Sequence, residues 1–163
     1  MNSVSAILSA DSLARIEREC GKYPPEQRQS AVMAALDIAQ DQHGWLSNEV
    51  MEEVAKVLGM AAVHVYEVAT FYGMYNLKPV GKHKVVICTN LPCALSGALD
   101  AAEHLKRRLG VEFGETGGDA GVMLKEGECL GACGDAPVVL MNNKRMLCAM
   151  TPEKLDEFMK EAK

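Results

Sequence analysis

The chain has 163 residues, 48% of them hydrophobic and 24% charged, which suits one medium or two small globular domains with an ordinary apolar core. Its formal net charge of -5, with no basic run longer than Lys106-Arg107-Arg108, gives no phosphate-backbone footprint, so nucleic acid is not an expected partner. No window approaches the roughly 20 apolar residues of a membrane span, and Met1 to Ala10 has no basic segment before its apolar residues, so a cytoplasmic protein, tied to a membrane only through a complex, is expected.

The first half reads as helices. Asp11 or Ser12 is placed to cap a segment running through Glu19, with Leu13, Ile16 and Cys20 at helical spacing, and Pro24-Pro25 then breaks the chain. Val32, Leu36 and Ala39 carry a second helix to His43, closed by Gly44. Ser47 caps a third, whose stripe of Val50, Val54 and Val57 or Leu58 ends at Gly59. A fourth runs from about Ala61 to Tyr72, against the β-branched bias of Val63, Val65 and Val68.

At Lys78-Pro79-Val80-Gly81 the pattern changes, and the domain boundary is placed there: residues 1–79 as a helical domain, residues 80–163 as a second domain. A strand at Val85-Val86-Ile87 comes first. A helix from about Ala94 to Leu109 follows, with Leu95, Leu99, Ala102 and Leu105 on one side and Gly110 as its stop. Val111 to Glu115 and Val122 to Lys125 read as strands around the turn Gly117-Gly118-Asp119. Pro137 leads into a hairpin, Val138 to Met141 and Arg145 to Ala149, turned by Asn142-Asn143. Thr151 and Pro152 open a last helix with Leu155, Phe158 and Met159 facing inward. The class is α+β: an N-terminal helical bundle followed by a small thioredoxin-like α/β domain.

Six cysteines without a secretion signal point to metal or redox chemistry rather than disulfides. Four of them form two pairs, Cys88 with Cys93 and Cys129 with Cys133, each just after a strand in a loop carrying Pro or Gly. Four thiolates suit the soft core of an iron-sulfur cluster, loops at strand ends can aim them, and Gly127, Gly131 and Gly134 give backbone room to approach the sulfides. A structural zinc site needs four thiolates too but favours two-residue spacing, and a thioredoxin-type thiol enzyme needs a Cys-x-x-Cys that is absent. Buried free thiols are the plain alternative.

These residues resemble the family of small thioredoxin-like 2Fe-2S subunits found in the NADH-dehydrogenase module of respiratory complex I, the NADH-quinone oxidoreductase. The pattern Cys-x4-Cys then Cys-x3-Cys appears as Cys88-Thr89-Asn90-Leu91-Pro92-Cys93 and Cys129-Leu130-Gly131-Ala132-Cys133, with Gly134 and Pro137 in place. His43-Gly44-Trp45-Leu46 and Val68-Ala69-Thr70-Phe71-Tyr72 extend the match over nearly the whole chain. The resemblance implies one 2Fe-2S cluster on Cys88, Cys93, Cys129 and Cys133 and a role in single-electron exchange. It also implies a partner flavoprotein holding FMN and NADH, among other peripheral-arm subunits, with the chain not catalytic alone. Similar subunits serve NAD-dependent formate dehydrogenases and hydrogenases, and the cysteine motif does not separate these hosts. A zinc-stabilised interaction module and a freely diffusing ferredoxin are the rival classes.

Cys20 and Cys148 are expected to be small core residues. His43, His64, His83 and His104 share no ligand spacing and read as structural or solvated, His43 as a helix-end cation. Phe71, Tyr72 and Tyr75 are expected to pack between the two domains, with a docking patch as the competing role.

Overall fold

Ser9, two residues before the nearer of the expected caps, opens the first helix: its hydroxyl accepts the backbone N–H of Ser12 at 3.1 Å. The computed structural model describes residues 7–118 and 121–161. These divide into two compact units, one ending at Pro79 and one beginning at Val80.

In the first unit α1 (Ala10–Cys20) is followed by a short 3-10 segment (Pro25–Ala31), then α2 (Val32–His43), α3 (Asn48–Leu58) and α4 (Ala62–Phe71). Gly44 and Gly59 close α2 and α3 in the left-handed conformation, and the Ser47 hydroxyl caps α3 by accepting from Val50 N–H at 3.3 Å. Ile16, Leu36, Leu46, Val54 and Val65 are wholly buried together, one apolar stripe from each helix and one from the α2–α3 loop. Buried Gln40 straps the chain leaving α4, donating to the Met74 carbonyl at 3.2 Å and accepting from Asn76 N–H at 2.6 Å. Tyr75 is buried here, its hydroxyl donating to the Met33 carbonyl at 2.9 Å, whereas Phe71 is 79% exposed. The aromatic group therefore does not act as one core cluster.

The second unit holds a five-stranded sheet in the order β2-β3-β1-β4-β5: β1 (His83–Cys88), β2 (Thr116–Gly117), β3 (Val122–Gly127), β4 (Val139–Met141) and β5 (Arg145–Leu147). β1 and β3 are parallel and the other pairs antiparallel. The parallel pair requires a crossover, which α6 (Ala98–Leu109) supplies. Val85 and Ile87 of β1, Val122 and Leu124 of β3, and Leu105 of α6 form a core completed by Leu155, Phe158 and Met159 of α7 (Pro152–Glu161). His104 Nε2 and Asp156 Oδ1, 3.0 Å apart, tie α6 to α7.

Two local expectations are corrected. The helix expected from Ala94 is broken: α5 (Leu91–Leu95) stops, and Gly97 at φ 91° turns the chain before α6 starts. That turn resets the helical phase, so Ala98, Ala101, Ala102, Leu105 and Leu109 are buried while Leu95 and Leu99 face outward. Val111 to Glu115 is not a strand. Gly114, at φ 89°, donates to the Leu124 carbonyl at 2.8 Å, and regular pairing with β3 begins only at Thr116. The Asn142-Asn143 turn is as expected, with φ of 52° and 57° and Lys144 N–H closing on the Met141 carbonyl at 2.9 Å. Asp119 of the Gly-rich turn, and Met1 to Ala6 of the opening segment, lie outside the described residues. Among the described residues no single helix is long and apolar enough to cross a membrane.

Candidate metal centre

Parallel pairing brings the C-termini of both strands to the same end of a sheet. Here the register sets Cys88, the last residue of β1, opposite Gly127, the last residue of β3. The loop carrying Cys93 leaves from the first, and the loop carrying Cys129 and Cys133 leaves from the second. Because β4 runs antiparallel to β1, its approach through Pro137 and Val138 starts at this end as well.

Cys88 is buried, its backbone N–H donating to the Val138 carbonyl at 3.0 Å and its Sγ lying 3.5 Å from the Glu128 carbonyl oxygen. Cys93, in α5, is equally buried and packs with Cys88, Ala98 and Val138, against Leu130, Ala132 and Ala136 of the second loop. Burial pushes the Cys93 thiol above its usual range; the hydrogen bond with Cys88 and the charges of Cys88 and Cys133 act in the same direction, while the Val138 backbone opposes them. A cation at this position reverses that balance, since it stabilises the thiolate directly.

Cys129 and Cys133 are exposed. Cys133 opens a single 3-10 turn, Cys133–Asp135, whose Asp135 N–H donates to the Ala132 carbonyl at 3.0 Å. Ala149 and Met150 N–H then donate to the carbonyls of Asp135 and Pro137 at 2.7 and 2.9 Å, fastening the far side of the loop to the chain beyond β5. Thr89 makes the cross-tie between the loops: its N–H donates to the Gly127 carbonyl at 3.0 Å and its hydroxyl to Glu126 Oε1 at 2.7 Å.

The four thiols thus gather at one end of the sheet, two buried and two at the rim. Among the described residues, no three His, Cys, Asp or Glu side chains converge into a metal cage. The donor set still fits an iron-sulfur cluster: it consists of thiols alone, on two loops whose roots are adjacent, with Gly131 at φ 75° and open space beside Gly131 and Gly134. Gly127 serves a different purpose from the one expected, since a Cβ there would stand 2.7 Å from Val86 Cγ1, so its bareness lets β1 and β3 pack.

The tie residues Thr89, Glu126 and Val138 escape sequence reasoning because strand register, unknown from sequence, is what makes them neighbours. Cys148 is also corrected. It is exposed, one residue past β5, whereas Cys20 is buried as expected. His43 bonds within the N-terminal unit, to Ile7 O at 3.0 Å, and His64 pairs with Glu67 at 2.9 Å.

The model of the thioredoxin-like [2Fe-2S] ferredoxin family matches residues 16–163. The chain belongs to this family. Among relatives of this ferredoxin, an NADH-quinone oxidoreductase subunit of Rickettsia bellii is 47% identical over 136 residues, covering 83% of this chain and 81% of the relative. The mitochondrial NADH dehydrogenase [ubiquinone] flavoprotein 2 of Dictyostelium discoideum is 42% identical over 134 residues, covering 82% of this chain and 54% of its own. The chain therefore groups with the 2Fe-2S subunits of NADH-quinone oxidoreductase. In fold it is similar to a crystal structure of an NAD+-reducing [NiFe]-hydrogenase, with a TM-score of 0.69 and 18% identity, over 80% of this chain and 22% of the hydrogenase chain.

Proposed function

We propose that this chain is the iron-sulfur subunit of an NADH-quinone oxidoreductase. It holds one 2Fe-2S cluster on Cys88, Cys93, Cys129 and Cys133 and exchanges single electrons with the FMN of a partner flavoprotein. The observation that carries the reading is the register of Cys88 with Gly127, which roots both cysteine loops at one end of the sheet. Family membership and the names of the curated relatives support the cofactor class and the host.

The cluster, when bound, supplies reversible one-electron storage at iron and sulfur. The chain's own residues do the rest. Cys88 and Cys93 fix one side from buried positions, Val138 and Leu130 exclude water beside them, and the Thr89 tie keeps the two loops from separating. Hydride chemistry belongs to the partner, so the chain is an enzyme subunit and not a catalyst alone. The helical unit, residues 1–79, contributes to docking. Phe71 and Tyr72, edge to face with ring centroids 5.0 Å apart and both exposed, provide an aromatic contact of the kind that anchors interfaces. The complex resides at the cytoplasmic side of the inner membrane, in the peripheral arm.

The test is reduction through the partner. With the chain and the flavoprotein subunit purified together, NADH should produce the EPR signal of a reduced 2Fe-2S centre, and the chain alone should give none with NADH. A centre whose titrated potential lies above that of the NADH couple, yet which NADH cannot reduce in the complex, would remove the flavin from the account.

A further inference from the structure

The second cysteine loop covers the first pair of thiols. Cys88 and Cys93 are each 2% exposed, and Leu130 and Ala132, which lie between Cys129 and Cys133, pack with Ala136 against them and against Val138. Cys129 and Cys133 of the same loop are exposed.

That loop is held at its ends and not in its middle. Thr89 ties its root, through the Gly127 carbonyl at 3.0 Å and Glu126 Oε1 at 2.7 Å. At the far end the N–H groups of Ala149 and Met150 hold the carbonyls of Asp135 and Pro137 at 2.7 and 2.9 Å. Among the described residues, none from Cys129 to Gly134 hydrogen-bonds outside the loop, and Gly131 and Gly134 have open space beside them. A segment with few apolar contacts and no outside hydrogen bonds opens at small cost in free energy.

We propose that Cys129 and Cys133 are the entry site for the cluster: they take it from a carrier that holds it through thiolates, and Cys88 and Cys93 bind second, once Leu130 and Ala132 have moved aside. The inference rests on the reading of the four cysteines as cluster ligands and adds the order in which they act and the kind of partner that meets them. An incoming iron must be met by a thiol it can reach, which Cys129 and Cys133 offer and Cys88 and Cys93 do not. Each exchange breaks one bond from iron to a carrier sulfur and forms one to a cysteine sulfur, while the cysteine's proton passes to the departing thiolate. No electron changes place, so neither oxidant nor reductant is required.

The experiment gives the full chain, stripped of metal and kept reduced under argon, a 2Fe-2S complex ligated by glutathione. Visible circular dichroism follows the replacement of glutathione by protein thiols. Cys88→Ser/Cys93→Ser should keep a first phase within about twofold of wild type and stop short of the final spectrum, whereas Cys129→Ser/Cys133→Ser should slow that phase about tenfold or more. In the wild-type chain, peptide mapping after brief iodoacetamide treatment should find Cys129 and Cys133 alkylated about tenfold or more faster than Cys88 and Cys93, a reading that needs no variant. Equal slowing in both double variants overturns the proposal, as does a first phase that survives only without Cys129 and Cys133, or equal alkylation of all four thiols. A wild-type chain that never acquires the final spectrum defeats the cluster reading itself and takes this order with it; the other failures leave that reading standing.

Discussion

Cys88 ends β1 directly opposite Gly127 at the end of β3, and the two residues do complementary work. Cys88 sets its thiol 3.5 Å from the Glu128 carbonyl oxygen of the second cysteine loop, while Gly127 keeps its own side of the ladder bare so that Val86 fits against it. Gly127→Val places carbon within 2.7 Å of Val86 Cγ1 and 3.3 Å of the Ile87 carbonyl oxygen. Overpacking of this kind costs about 1–3 kcal/mol. Urea denaturation should show that loss, and a variant as stable as wild type would refute the packing role.

The division of the six cysteines predicts a pattern of variants. Cys88→Ser and Cys93→Ser should each abolish the visible absorption of the purified protein, because they remove ligands from the buried side. Cys20→Ala and Cys148→Ala should keep it, Cys20→Ala at a cost of about 1 kcal/mol for a small core vacancy. Loss of colour in Cys148→Ala would add that residue to the site.

Lys84 gives the second unit a distinctive pH response. It is only 4% exposed, and burial, helped by the charge of Lys125, lowers its pKa to about 8. In the unfolded chain the amine titrates near 10.4. The folded state thus binds fewer protons than the unfolded state between those values, and the Lys84 contribution to stability rises with pH from about 8 to about 10.5. Lys84→Met should flatten the urea midpoint across that window; a slope equal to wild type would contradict it.

Tyr75 acts in the opposite sense. Burial, then the charges of Asp37 and Tyr72, push its pKa up to about 12, so an unfolded chain ionises at about 10 while the folded one stays neutral. Stability of the helical unit should fall as pH rises from about 10 toward 12. Tyr75→Phe should lose about 1 kcal/mol at neutral pH, through the missing bond to the Met33 carbonyl, and fall less steeply in alkali. Equal alkaline slopes would remove Tyr75 as the cause.

Much of this architecture is legible in the sequence, because the signals are local. Ser47 and Gly59 bracket α3, Gly44 stops α2, and Asn142-Asn143 turns the β4–β5 hairpin, each through a backbone requirement that its residue type satisfies. The pairing of cysteines in two post-strand loops is legible for the same reason. What escapes is phase and register. Leu95 and Leu99 fit a helical stripe on paper, and only the left-handed turn at Gly97 moves them to the surface. Phe71 looks like core by composition, yet α4 buries Val65 and Ala69 instead. Thr89 and Glu126 stand far apart in sequence and meet only because β1 pairs with β3. Cys148 reads as a strand residue, but β5 ends one position earlier.

The most direct measurement is metal analysis and spectroscopy of the anaerobically purified full chain: iron, sulfide and zinc content, the visible spectrum, and EPR before and after dithionite. The account predicts a brown protein with two irons and two sulfides per chain, silent when oxidised and giving one paramagnetic signal after one-electron reduction. A colourless protein holding one zinc per chain would contradict it, making Cys88, Cys93, Cys129 and Cys133 a structural clasp with no electron to carry.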